Sequence, residues 1–242
     1  MEREVFDRMA DVDLRHWWFV ARRRIIARFL EEHLPRGGEP LRILEIGCGT
    51  GSNLPMLQAF GTVEAIEPDG GARRIARDRF DVPVRDGMLP DGLDVPDGTY
   101  DLIVMLDVLE HVEDDAAALA AVKRKLKPGG RLLLTVPAMP WLWSSHDEAH
   151  HHFRRYTAGR LTGALSAARY TIRHHSHFNT LLFPLICAAR LAGWITGRRG
   201  GDDAMPGALA NRVLGAVFAS ERGWVARRSI GVGVSMLAFA EA

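Results

Sequence analysis

Ile43-Leu44-Glu45-Ile46-Gly47-Cys48-Gly49-Thr50-Gly51 is the stretch of sequence that decides the fold. An apolar run that suits a buried strand passes into a loop with glycine at every second position. A helix is predicted to follow, with Ser52 or Asn53 as its N-cap. The glycines let the backbone turn sharply and approach a ligand closely, and the loop presents backbone N–H groups and a positive helix end to that ligand. The stretch therefore predicts a ligand site between the first strand and its helix.

The glycine spacing is Glu-x-Gly-x-Gly-x-Gly, which differs from the Gly-x-Gly-x-x-Gly of dinucleotide-binding proteins. An acid two residues before the first glycine would repel a pyrophosphate, whereas it suits an ammonium group. The stretch resembles motif I of the class I S-adenosylmethionine (SAM) methyltransferases. The resemblance implies an α/β fold with a Rossmann-like seven-stranded methyltransferase sheet, mostly parallel with an antiparallel last strand. It also implies SAM as cofactor, S-adenosylhomocysteine as product, and cofactor contacts by Glu45, Gly47, Cys48, Gly49, Gly51 and Asn53.

Length and composition indicate one globular domain. The chain has 242 residues, of which 47% are hydrophobic and 25% charged, with a formal net charge of +1. That balance gives no case for nucleic acid, whose binders carry a clustered basic face. Two cysteines are too few for a disulfide framework, and the charged first residues do not read as a signal peptide. We therefore expect a cytoplasmic protein.

The order of apolar runs and breakers predicts a single methyltransferase domain over residues 1–242. Its parts are a helical N-terminal cap (1–38), a SAM-binding core (39–178), an apolar helical insertion (179–228) and the last strand (229–242). The predicted strands are 41–46, 63–66, 82–85, 101–106, 131–136, 170–178 and 231–240. The predicted helices are 3–34, 53–60, 72–79, 115–126, 158–168, 181–195 and 208–222, with a linker at 197–207.

Acids after the second and third strands match the family's nucleoside site. Glu67 closes the second strand beside Pro68, where a carboxylate can accept two hydrogen bonds from ribose hydroxyls, and Asp69 is the nearby alternative. The resemblance implies that a carboxylate after the third strand receives the adenine amine while an apolar neighbour covers the ring. The candidates are Asp86, Gly87 and Met88, although Asp-Gly is also a common turn pair.

The fourth strand ends in Leu106-Asp107-Val108, which resembles the segment lining the methionine part of SAM in small-molecule members of the family. His111 follows as a candidate substrate contact, or as half of a structural pair with Glu110.

The N-terminal region carries a cluster of aromatic residues, His16-Trp17-Trp18-Phe19, followed by three arginines from Arg22. One interpretation is an amphipathic helix that covers the sheet. The other is a lid over the cofactor, with Trp17 facing substrate and Arg22 near the methionine carboxylate.

The loop after the fifth strand, 137–156, concentrates aromatic, imidazole, carboxylate and guanidinium groups. It leaves the carboxyl end of its strand, so it should lie over the site. His146 is the predicted general base, with Asp147 as its orienter or a second base and His150 on the same helical face. The alternatives are a metal site and a plain surface loop; the ligands of the metal site would be His146, Asp147, Glu148 and His150. The remaining substrate candidates are Trp141, Trp143, Arg154, Arg155 and Tyr156, of which the last three would clamp an anionic acceptor or serve as ordinary capping and salt-bridge groups.

Residues 181–199 pair an apolar run with arginines, which favours a helix in a membrane interface or over an apolar substrate pocket. The predicted function is methyl transfer from SAM to a small-molecule or lipid-like acceptor, with oxygen favoured as the acceptor atom. The protein is then cytoplasmic and peripheral at the inner membrane face. The alternative is a SAM-binding relative without transfer activity that acts as a sensor or assembly factor. A nicotinamide oxidoreductase is disfavoured by Glu45 and the glycine spacing.

Overall fold

A seven-stranded mixed sheet forms the centre of the computed structural model, which describes residues 10, 12–35, 37–196 and 205–242 and, for 193–196, the backbone alone. The strand order is β3-β2-β1-β4-β5-β7-β6. β7 runs antiparallel to both β5 and β6, and the other pairs are parallel. The strands are β1 (Leu41–Ile46), β2 (Gly61–Ile66), β3 (Val84–Arg85), β4 (Tyr100–Leu106), β5 (Leu126–Pro137), β6 (Thr171–Phe178) and β7 (Ser235–Glu241). The predicted α/β fold with an antiparallel last strand is confirmed.

The described helices flank this sheet. They are α1 (Trp17–His33), α2 (Leu54–Gln58), α3 (Gly70–Arg79), α4 (Asp115–Lys125), α5 (Ser145–Ala149), α6 (Ala158–Ala167), α7 (Phe183–Thr196), α8 (Ala208–Ser220) and α9 (Arg222–Arg227). Short 3₁₀ turns cover 109–111 and 140–142. Most of the predicted linker, 197–204, and the predicted helical residues 3–9 lie outside the described residues.

Both faces of the sheet are buried. Neighbouring residues of a strand point to opposite sides, and each side packs into its own hydrophobic core. In β1, Ile43 belongs to one core and Leu44 to the other. Val104 and Met105 divide in the same way in β4. The core strands therefore read as continuous apolar runs.

Helix α1 packs against α8 and α9, so the N-terminal cap and the insertion lie together on one side of the sheet. The backbone N–H of Trp17 donates to Asn211 Oδ1 at 2.8 Å, and its ring lies edge-on to Phe218 at 5.9 Å. The division of the chain into cap, core and insertion stays a prediction. Within the described ranges, no helix is both long and apolar enough to span a bilayer.

Candidate cofactor and acceptor site

A cavity of about 1700 Å³ opens at the carboxyl ends of β1, β2 and β4, between the loops that follow these strands. Open α/β sheets bind their ligands at this edge. Helix α1, helix α7 and the loop after β5 complete the walls. The cavity is lined by many of the residues singled out from the sequence: Trp17, Arg22, Gly47, Cys48, Gly49, Asn53, Glu67, Pro68, Gly87, Met88, Leu106, Asp107, Val108, His111, Trp143, His146, Glu148, His150 and Arg155.

The glycine loop after β1 requires glycine at its tightest point. Gly47 has φ +72°, and a Cβ there would lie 2.6 Å from Cγ2 of Val108. Its N–H donates to the Ile66 carbonyl at 2.8 Å, which ties the loop to the end of β2. Gly51 also has positive φ, but a Cβ there would meet Phe80 and Ala76. Gly51 therefore serves packing behind the cavity and is not part of its wall.

Glu45 lies completely buried behind this loop. One carboxylate oxygen accepts from Nδ2 of Asn53 at 2.9 Å, while Oε2 and the Asn53 Oδ1 have no partner among the described residues. Asn53 precedes α2, but its side chain does not cap the helix. Burial raises the pKa of Glu45 to about 7. Asn53 lines the cavity, whereas Glu45 lies behind it and is not part of the wall. Two oxygens without partners at this depth suit a ligand that brings donors, such as an ammonium group.

Glu67 is held rigidly at the end of β2. Its two oxygens accept from the backbone N–H groups of Gly49 at 2.8 Å and Asp69 at 2.9 Å. Burial raises the pKa of Glu67, and these two bonds oppose the rise. Glu67 also lines the cavity, and each of its oxygens keeps a second lone pair that can accept from a hydroxyl group. Asp69, the alternative, instead caps α3 by accepting from the Ala72 N–H at 2.8 Å.

Asp86 is not brought into the cavity. Its side chain is largely exposed and forms an ion pair with Arg73 of α3 at 2.7 Å. The same arginine donates to the carbonyl groups of Glu67 and Pro68. Gly87 and Met88 do line the wall, together with Leu89 and Pro90. Backbone and apolar groups, rather than the predicted carboxylate, therefore form this end of the cavity.

Arg22 and Asp107 join α1 to the end of β4 by an ion pair. Asp107 has φ +58° and accepts a second bond from Thr135 Oγ1 at 3.0 Å. The Arg22 guanidinium lies 4.5 Å above the Trp18 ring and is almost fully buried. The pair places one positive and one negative group at the cavity wall, where the methionine part of SAM is expected in the family.

Asp13, which the sequence analysis did not single out, fastens the N-terminal region to the glycine loop. It is buried, accepts from Thr50 Oγ1 at 2.5 Å, and pairs with Arg79 at 3.0 Å. The residues preceding α1 are thus anchored to the loop after β1 and to α3.

Asp147 is a structural anchor of the loop after β5. It is fully buried, completes the capping box of α5 with Ser144, and accepts from Arg155 Nε at 2.8 Å. His152 Nδ1 lies 2.9 Å from the same oxygen. Burial alone would raise the pKa of Asp147, but His152 and Arg155 hold it well below its usual range. Enclosure by these partners keeps Asp147 from acting as the predicted base.

His146 and His150 do lie together at the cavity wall, with ring centroids 4.2 Å apart. Arg155 reaches the wall but is committed to Asp147 and to the Ala138 carbonyl at 3.1 Å. Among the predicted acceptor contacts, Trp143 also lines the cavity.

Three other predicted acceptor contacts face elsewhere. Arg154 donates to the Glu113 carbonyl at 2.6 Å and pairs with Asp115 at 3.0 Å. Tyr156 is buried and donates to the same carboxylate at 2.9 Å. Trp141 is half exposed and meets Phe183 at 6.0 Å. Arg154 and Tyr156 therefore take the capping and salt-bridge role that the sequence left open as the alternative to a clamp, because Asp115 draws both toward α4.

The four predicted metal ligands are not brought together, because Asp147 is enclosed by its own partners. In the described part of the chain, the group that does converge is Glu110, His111 and His152, whose ligand atoms all lie within 4.8 Å of one another. Burial and then Asp107 raise the pKa of Glu110 well above its ordinary value. Burial and then His152 lower the pKa of His111 to about 3.

A family model described as a methyltransferase domain matches residues 16–175, about two thirds of the chain. The chain belongs to the class I SAM-dependent methyltransferases. The family resemblance read from motif I is confirmed. The orphaned oxygens behind the glycine loop and the Glu67 carboxylate at the cavity wall fit the cofactor of that family.

The alignments with curated relatives cover only part of each relative's length. The biotin biosynthesis bifunctional protein BioCD of Bordetella avium is 34% identical over 194 residues, covering 71% of this chain and 40% of the relative. A ubiquinone biosynthesis O-methyltransferase of Xanthomonas oryzae pv. oryzae is 29% identical over 160 residues, covering 64% of this chain and 60% of the relative. In eight such relatives, the match spans between 28% and 60% of the relative's own length.

Solved structures share the fold of this methyltransferase. A complex between the Trm112 methyltransferase activator of Haloferax volcanii and a methyltransferase contains a chain that superposes with a TM-score of 0.65 at 19% identity. The match covers 99% of this chain and 96% of that one. At this identity the likeness establishes the fold alone.

Proposed function

We propose that the protein transfers a methyl group from SAM to a small-molecule or lipid-like acceptor, with oxygen as the favoured acceptor atom. The observation that carries the proposal is one cavity shared by the family's cofactor loop and by apolar walls from α1, α7 and the loop after β5. Small-molecule sites are usually pockets of roughly 300–1,000 Å³. At about 1700 Å³, this cavity has room for an acceptor beside the cofactor.

Bound SAM supplies an activated methyl group, whose transfer to an acceptor lone pair leaves neutral S-adenosylhomocysteine. The protein's task is to hold the acceptor in line and to exclude water. Trp17, Trp18, Phe19 and Trp143 supply the apolar surface for both purposes. If the acceptor is a hydroxyl, its proton must leave as the new bond forms. His146 or His150 is the proposed base, because both line the cavity and Asp147 does not.

A lipid-like acceptor is supported by apolar side chains that α7 and α8 leave exposed. Leu185 and Leu191 on α7 are more than half exposed, as are Leu209 and Val213 on α8. Ile186 and Ala189 of the same α7 line the cavity. We therefore extend the proposal to association with a membrane surface through 181–199, of which 197–199 lie outside the described residues. The name of the ubiquinone O-methyltransferase relative supports both oxygen and a lipid-like acceptor.

The decisive test combines SAM binding with labelled-methyl transfer. Isothermal titration should give saturable SAM binding, and label from methyl-labelled SAM should enter a compound of low mass in fractionated extracts of the native host. Glu67→Gln should weaken SAM binding at least tenfold and lower methyl transfer together with it. Binding without transfer to any fraction would overturn the catalytic proposal in favour of a SAM sensor or assembly factor.

Membrane association has its own test. The protein should sediment with anionic liposomes and be released by salt, with neutral liposomes as the control. Leu185→Glu should weaken sedimentation because it places a charge in the apolar surface. Complete recovery of the wild-type protein in the supernatant would refute this part of the proposal.

A further inference from the structure

Glu110 is a buried carboxyl group that nothing in the cofactor site explains. It lies in the 3₁₀ turn after β4, lines the cavity, and has no measurable exposure. Neither of its oxygens has a hydrogen-bond partner in another described residue. Buried polar atoms without protein partners are usually matched by a bound water, ion or ligand.

Two imidazoles stand beside this carboxyl group. The rings of His111 and His152 are 4.7 Å apart in an edge-on arrangement, and one ligand atom from each of the three residues lies within 4.8 Å of the others. The N–H of Phe153 donates to the Glu110 carbonyl at 2.8 Å, which docks the loop after β5 onto the turn after β4. The two segments are therefore held at the spacing that brings the three side chains together.

Both imidazoles are held in place by hydrogen bonds outside the cluster. His152 Nδ1 lies 2.9 Å from Asp147 Oδ1. Arg155 Nε donates to the same oxygen at 2.8 Å, and this ion pair favours the charged carboxylate. A charged carboxylate can only accept, so Nδ1 is the donor of this bond and Nε2 is the nitrogen left for a metal ion. His111 makes a hydrogen bond to the backbone of His150. Metal-binding histidines are usually fixed in this way, by a carboxylate or backbone carbonyl on the second nitrogen.

We propose that Glu110, His111 and His152 form a binding site for a divalent transition metal ion such as Zn²⁺, Mn²⁺, Fe²⁺ or Co²⁺. Two imidazoles and one carboxylate favour these ions over Mg²⁺ and Ca²⁺, which prefer all-oxygen sites. Metal–ligand bonds of about 2.0–2.2 Å would hold the three atoms closer together than the 4.8 Å found here, so binding includes rotation of these side chains. The nearby Arg22 and Arg155 are each paired with a carboxylate, Asp107 and Asp147, which limits their repulsion of a cation.

The site opens toward the cavity, and its consequence for the acceptor rests on the proposed function. Three protein ligands leave coordination positions for an acceptor oxygen, and a bound metal lowers the pKa of such an oxygen. The acceptor class would then be one that presents a phenolic or enolic hydroxyl to the metal. The proton leaves that hydroxyl to a base, and the oxygen lone pair then forms the bond to the methyl carbon.

Metal titration of chelator-treated, tag-free protein without SAM tests the site directly. Co²⁺ should give a saturable visible absorption at one ion per chain, and Zn²⁺ should displace it. Glu110→Gln and His152→Gln should each weaken Co²⁺ binding at least tenfold. His175→Gln on β6, outside this cluster, is the matched control and should bind as the wild type does. Glu110→Gln retains the shape of the side chain, and circular dichroism melts check the fold of every variant.

The proposal is overturned if Co²⁺ does not saturate, if Glu110→Gln binds as tightly as the wild type, or if Mg²⁺ is preferred to the transition metals. A separate SAM titration distinguishes this failure from that of the proposed function. SAM binding with methyl transfer but no metal binding would remove the metal site alone. Metal binding lost in both variants, with no SAM binding, would support the site and overturn the proposed function.

Discussion

Replacing Glu45 with glutamine should stabilise the fold and weaken cofactor binding together. The carboxyl group is fully buried, and burial raises its pKa from an ordinary 4.5 to about 7. Each pKa unit corresponds to about 1.4 kcal/mol, so the ionised side chain costs the folded state about 3 kcal/mol above pH 7. Glutamine does not ionise, and its carbonyl oxygen can still accept from Asn53.

The sign follows from the proton balance. Because the folded state holds the Glu45 proton more tightly, this group favours folding fully below its ordinary pKa of 4.5, and the benefit is lost as pH rises through about 7. The glutamine variant does not lose this contribution to stability as pH rises. Its advantage over the wild type should therefore grow by about 2 kcal/mol between about pH 5.5 and pH 8.

Urea unfolding of both proteins at the two pH values measures that difference, and isothermal titration at the higher pH measures SAM affinity. Loss of a charge-assisted hydrogen bond, at about 1.5–3 kcal/mol, should weaken SAM binding roughly 10- to 100-fold. Glu64→Gln on β2, a partly exposed position, is the matched control. A stability difference that does not change with pH would refute the burial argument. Unchanged SAM affinity would refute the role at the ammonium group.

Three further substitutions test the site. Glu67→Gln should weaken SAM binding at least tenfold by titration, because an amide N–H would face one of the two backbone donors that hold the carboxylate. Asp86→Asn should leave SAM affinity within about twofold, since the exposed pair with Arg73 is worth little. Asp147→Asn should lower the free energy of unfolding by about 3–5 kcal/mol in urea, because Arg155 is left buried without its counter-charge.

Each of these three predictions has an outcome that would contradict it. Wild-type SAM affinity in a folded Glu67→Gln protein would remove the ribose assignment. A tenfold loss in Asp86→Asn would restore the predicted adenine contact. Normal stability with lost methyl transfer in Asp147→Asn would return that residue to the role of a catalytic base.

The sequence located cavity residues after β1 and β2 because their determinants are local. The position of Gly47 follows from the sharp turn after β1, and Glu67 follows from the end of the next strand. Contacts between distant segments carry no such pattern. Nothing around Asp13 or Arg22 indicates that they meet Thr50 and Asp107.

The roles of residues in the loop after β5 were harder to predict, because their side chains are of the types that act in catalysis and anion binding. Asp147 and Arg155 have the groups of a base and an anion clamp, but folding pairs them with each other. One local signal was available: Ser144 and Asp147 have the spacing of a helix capping box. The convergence of Glu110 with His152 depends on the docking of two loops and could not be read from spacing.

The first residue of a strand also differed between prediction and structure where strand pairing includes a predicted turn. Lys127-Pro128-Gly129-Gly130 predicts a turn before β5, yet the strand begins at Leu126, which pairs with Tyr100 before a register shift. The last strand begins at Ser235, later than predicted. Just before it, a Cβ at Gly233 would lie 2.4 Å from the Phe178 carbonyl oxygen.

The position of β7 between β5 and β6 determines the order in which the sheet can be completed. β6 stands at the sheet edge and its hydrogen-bonded neighbour is β7, which is made much later in the chain. A nascent polypeptide that has reached Phe178 can already assemble β1 to β5, while β6 still lacks its ladder. The ribosome must therefore synthesise α7, α8 and α9 before β7 can pair with β5 and β6. A stalled chain that ends ahead of Ser235 would leave both strands without this partner and exposed to proteases and chaperones.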